Sequence, residues 1–74
     1  MKSLNKTIAI LEVEAKMIEL HVNKLAKVAN ETPDEEHRRE LLELAAEEGK
    51  RAQKIRHQVC LLRDHSDQDR PQVA

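Results

Sequence analysis

The chain has no Phe, Trp or Tyr, a single Cys, a single Gly and two Pro among its 74 residues. Each shortage closes a route. One cysteine excludes an internal disulfide and makes a reducing compartment the simpler assumption. Without aromatic rings there is nothing to stack on a nucleic-acid base. Any core must then be assembled from Leu, Ile, Val, Ala and Met, which suits helix-on-helix packing better than a sheet. The scarcity of Gly and Pro leaves few places where a helix is obliged to stop. No apolar run approaches the length of a membrane span, and the N-terminal residues lack the apolar core of a signal peptide. A cytoplasmic protein without membrane contact is therefore expected. Nothing resembles a nucleotide-binding loop, a nucleophile elbow or a paired-cysteine metal site, so no enzymatic activity, cofactor or metal is expected.

What is present points one way. Charged residues make up 36% of the chain and apolar ones 39%, the proportions of an all-helical, solvent-laced bundle. A chain this short rarely buries enough to stand alone, and disulfides, a metal or oligomerisation are the usual remedies. Oligomerisation is the one the composition leaves open.

Leu4, Ile8, Leu11, Ala15, Ile18, Val22, Leu25 and Ala29 step by alternating fours and threes. Such an unbroken heptad seam predicts one helix over about 4–30 that packs along its whole length. Ser3 is the expected N-cap, with Asn5 as the fallback. Thr32-Pro33-Asp34-Glu35 then reads as a helix start: Thr32 as N-cap, Pro33 as the first helical residue and Glu35 completing a capping box. The turn is placed at 31–33 and the second helix at about 33–63. Its own heptad runs through Arg38, Leu41, Ala45, Glu48, Ala52, Ile55, Val59 and Leu62. So short a connection makes the two helices antiparallel neighbours. The expected facing layers are Leu4/Val59, Ile8/Ile55, Leu11/Ala52, Ala15/Glu48, Ile18/Ala45 and Val22/Leu41. Residues 64–74 are polar and lose the heptad, so a disordered tail is expected there.

Two features of the seam stand out. Glu48 is a charge in mid-row. Either its stem lies across the seam with the carboxylate in water, or it is a register pin met by a cation from another chain. Gly49, beside Ala45, Ala46 and Ala52, offers a surface that another backbone could approach closely.

The first helix also carries Ile10, Val13, Met17 and Leu20 on the side opposite its seam. A single hairpin leaves this stripe in water, rimmed by Lys6, Lys24 and Lys27. Covering it is worth about 1.5–3 kcal/mol for each large side chain fully buried. Two coverings fit: a second copy of the hairpin across a two-fold axis, or a different protein docked in a groove. Leu42 and Leu44 flank the second seam and would widen it, as a four-helix core needs. The expected architecture is an all-α antiparallel hairpin that self-associates, with a four-helix-bundle dimer favoured.

Charge is laid down in blocks. Residues 31–48 hold eight acids against Arg38 and Arg39, whereas residues 49–63 hold Lys50, Arg51, Lys54, Arg56 and Arg63 and no acid. Lys50, Arg51, Lys54 and Arg56 are the residues that could follow phosphates. The hairpin layout, with large residues facing small ones and a polar tail, resembles the Rop family of plasmid RNA-binding proteins. The resemblance implies dimerisation into a four-helix bundle and an RNA-binding face. Asp34 and His37 have i, i+3 spacing but fall short of a metal set, and Cys60 has no base placed beside it by any spacing. The expected function is that of a small regulatory or adaptor protein that binds another protein through Ile10, Val13, Met17 and Leu20. A nucleic-acid regulator of Rop type is the alternative.

Overall fold

A computed structural model of the chain describes residues 2–68. They form two α-helices, α1 (Lys2–Glu31) and α2 (Glu35–Gln68), packed side by side in a rod of 63 × 16 × 14 Å. Every described residue outside the three-residue connection is helical. The shortage of Gly and Pro acts here: Pro33 sits in the connection, and Gly49 is carried inside α2.

Several boundaries differ from the sequence expectation. Ser3 lies within α1 rather than capping it, and its carbonyl accepts the Thr7 hydroxyl at 2.9 Å. Thr32 does not cap α2 either. Its hydroxyl turns back to the Val28 carbonyl at 2.7 Å, and its N–H donates to Ala29 at 3.1 Å, so Thr32 closes α1 instead. The cap of α2 is Asp34. Its carboxylate accepts the Glu36 N–H at 3.1 Å, while its carbonyl accepts the first helical bond, from the Arg38 N–H, at 2.9 Å. Two good capping residues compete within three positions, and the one left over is spent on the preceding helix. At the other end α2 runs five residues past Arg63, through Gln68. No proline or glycine lies between Gly49 and Pro71 to stop it, and losing the heptad removes a packing face without breaking the backbone. The rest of the expected tail, 69–74, lies outside the described residues.

The facing layers are also shifted. Arg56 donates through Nε and a terminal nitrogen to the two Glu19 carboxylate oxygens at 2.5 and 2.6 Å, and Arg63 pairs with Glu12 at 2.6 Å. In the expected register the backbone of Arg56 would stand about 18 Å along the axis from Glu19, beyond the reach of both side chains. Sliding α2 by one heptad brings that offset to about 7.5 Å. A further heptad would pull Glu31 and Glu35 apart by more than the roughly 14 Å that four residue steps can span. Arg38 supports the same alignment, since its guanidinium donates to the Thr32 carbonyl opposite at 3.2 Å. The layers are therefore Ile8/Leu62, Leu11/Val59, Ala15/Ile55, Ile18/Ala52, Val22/Glu48, Leu25/Ala45 and Ala29/Leu41. Large meets small in four of them, which lets the helices interdigitate.

Burial follows this register row by row. Ile8, Ala15, Ala29, Ala45, Ala52 and Val59 form the buried core. They share one heptad row on each helix, here called the inner row. The other seam row, Leu4, Leu11, Ile18 and Leu25 on α1 with Leu41, Glu48, Ile55 and Leu62 on α2, is only half-buried throughout. The inner row is flanked on one side by the Glu12/Arg63 and Glu19/Arg56 pairs. By the same spacing Ala26 and Gly49 meet one step further along, and both are half-buried. That flank is closed. The half-buried row lies on the opposite flank, which is open.

Candidate interaction surfaces

Three surfaces have chemistry to offer: the back of α1, the back of α2 and the open flank. Ile10, Val13, Met17 and Leu20 stand on the back of α1 with 58–65% of each residue exposed. They alternate by threes and fours on a face turned away from the inner row, which is why nothing in the hairpin covers them. Within the described residues, the cations of this helix lie on or beside that back: Lys6, Lys16, Lys24 and Lys27 are all exposed. Two of its acids, Glu12 and Glu19, are drawn to the closed flank by arginines. The back of α1 is thus apolar with a basic rim.

The back of α2 at the same height is polar. Lys50, Lys54 and His57 line a shallow open depression with Gln53 and Gln58. The four basic residues singled out from the sequence are not brought together. Arg56 is committed to Glu19, and Arg51 lies 3.8 Å from Glu48 on its own helix. Lys50 and Lys54 make no ion pair with a described residue. The Arg56 hydrogen bonds, reinforced by its charge, hold the Glu19 carboxyl below the usual carboxylate range, and the Arg56 guanidinium is raised in turn. Both groups are solvent-exposed, so the pair orients side chains more than it stabilises the fold.

Glu48 sits in the half-buried row of α2. Its side chain is 23% exposed across the seam, and its nearest cation is Arg51 of the same helix.

At the hairpin tip Asp34 and His37 hydrogen-bond to each other, Nδ1 to Oδ2, at 3.0 Å. The imidazole and then the Glu36 N–H lower the Asp34 pKa, and the Asp34 carboxylate raises that of His37. This is local capping chemistry. Among the described residues no group of three or more His, Cys, Asp and Glu is placed to hold a metal ion. Cys60 is exposed, off the packed face. No described helix is long and apolar enough to cross a membrane.

Sequence reasoning passed over Val28 and Leu61, which are also exposed, and did not foresee the open flank. Val28 and Leu44 stand beside that flank near the loop. The half-burial of a complete heptad row could not be seen until the register was known. No protein-family model matches the chain, and no curated protein or solved structure matches it either.

Proposed function

We propose that the chain is a non-enzymatic regulatory or adaptor protein that works as a self-associating helical hairpin, a four-helix dimer being favoured, and binds another protein. One observation carries this reading. Among the described residues, eight large apolar side chains stand exposed, while no large side chain is fully buried. A compact protein of 8.5 kDa exposes about 4,700 Å²; this chain exposes 6317 Å². Contiguous apolar surface with a charged rim is what an interaction site looks like. The Lys-rimmed stripe of Ile10, Val13, Met17 and Leu20 suits a partner helix or groove with an acidic border.

Sedimentation equilibrium over a wide concentration range tests the self-association. The expected mass is twice that of the chain, falling toward the monomer on dilution. A monomer at every concentration that still melts cooperatively would overturn the reading.

Nucleic-acid binding is the second reading, favoured by the shared depression of Lys50, Lys54 and His57. Two of its four cations are already answered by Glu19 and Glu48, which weakens it. A salt titration separates the two modes: phosphate contacts weaken steeply as salt rises, and apolar docking hardly changes.

A further inference from the structure

The open flank calls for a different cover from the stripe on the back of α1. Leu11, Ile18 and Leu25 of α1 and Leu41, Ile55 and Leu62 of α2 are half-buried on one broad side of the rod. Val28 and Leu44 lie exposed beside them. Formal charge is divided along the same rod. The loop half, residues 21–48, holds eight acids against Lys24, Lys27, Arg38 and Arg39, for a net −4. The open half, residues 1–20 and 49–68, holds eight cations against Glu12, Glu14, Glu19, Asp64 and Asp67, for a net +3. A rod of opposite net charge at its two ends is complementary to itself when turned end for end.

Resting on the self-association reading, we infer that two hairpins pack open flank to open flank about a two-fold axis near Glu48 and Arg51. α1 lies antiparallel on the partner's α1 and α2 on the partner's α2, with the two loops at opposite ends of the bundle. This order sets −4 over +3 twice. Loops at one end would set −4 over −4 and +3 over +3. Glu48 and Arg51, 3.8 Å apart within one chain, then meet their own copies at the axis, two carboxylates among two guanidinium groups. A buried polar cluster of that kind pins register. Each chain exposes about 1,600 Å² beyond a compact protein of its mass, and a standard interface, at about 800 Å² from each partner, would cover about half of that. Pairing the open flanks leaves Ile10, Val13, Met17 and Leu20 outside the dimer, available to a different protein.

Two measurements on the full chain test this. In a Cys60→Ser background, a nitroxide label at Glu31→Cys reads the distance between loops by pulsed electron spin resonance. Glu31 lies level with residue 39, ten residues from the axis, so the labels should stand about 30 Å apart. A separation below about 20 Å would mean loops at one end and would overturn the arrangement. The second measurement compares dimer dissociation constants. Leu44→Glu and Val28→Glu, both at exposed positions that leave hairpin helicity intact by circular dichroism, should weaken the dimer by about 100-fold. Met17→Glu should change it by less than about threefold. The reverse pattern would place the dimer on the back of α1, overturning this inference while sparing the self-association reading. A wild-type chain that stays monomeric throughout would remove both.

Discussion

The two flanks of one seam make the most instructive comparison in the molecule. They share the inner row of Ile8, Ala15, Ala29, Ala45, Ala52 and Val59, and they differ in what closes them. On one side Arg56 and Arg63 of α2 reach across to Glu19 and Glu12 of α1, and Ala26 and Gly49 complete the edge. On the other side leucines and isoleucines stay half in water beside the pair of Glu48 and Arg51. A flank sealed by ions is a finished surface, since a partner there would have to strip hydrated charges. A flank of half-exposed aliphatic side chains is unfinished, and burying the rest of them is favourable.

The comparison can be broken most severely in the row common to both sides. Ala15 is fully buried opposite Ile55, and Ala15→Glu should lower stability by at least about 3 kcal/mol, read from urea midpoints. Next comes the open flank. Ile18→Ala should cost about 2 kcal/mol, with a loss that depends on protein concentration; a loss independent of concentration would mean that nothing else covers that row. On the closed flank Gly49 has open space where a Cβ would stand, so Gly49→Ala should raise stability by about 1 kcal/mol. Arg56→Ala should cost little, and the loss should shrink as salt rises, because the pair is exposed.

The smallest effect lies at the tip, beyond both flanks. The proton resonance of His37 should titrate above the ordinary imidazole value of 6.5. The raised His37 pKa gives a contribution complete below the unfolded value and lost as pH rises through the folded one. The lowered Asp34 pKa gives one complete above its unfolded value and lost as pH falls through the folded one. The pair therefore supports the fold between the two ranges and fades on either side. Asp34→Asn should return the His37 midpoint toward 6.5.

The helices themselves were legible because Leu4 through Ala29 keep an apolar period that no other secondary structure shares. The register was not, for a physical reason. Two alignments one heptad apart both place seam residues opposite seam residues, so apolar pattern alone cannot choose between them. The information was present in a different row. Only the observed alignment sets Glu12 and Glu19 against Arg63 and Arg56 while facing Ala15 with Ile55 and Ala29 with Leu41. The cap of α2 was misplaced because Thr32 and Asp34 both suit that position, and the choice rests on where Thr32 spends its hydroxyl. The outward stripe on α1 is plain from spacing, whereas the open flank exists only once two helices have been set side by side.

A connection of only three residues, 32–34, has a kinetic consequence. Ala29 and Leu41 meet after a short loop closure, and each further layer adds little to that entropic cost once the one before it is in place. The hairpin can therefore assemble like a zip from its tip toward Leu4, at the speed usual for chains dominated by local contacts. Unravelling should begin at the far end, where amide hydrogens exchange first and the last layers hold only while their neighbours do.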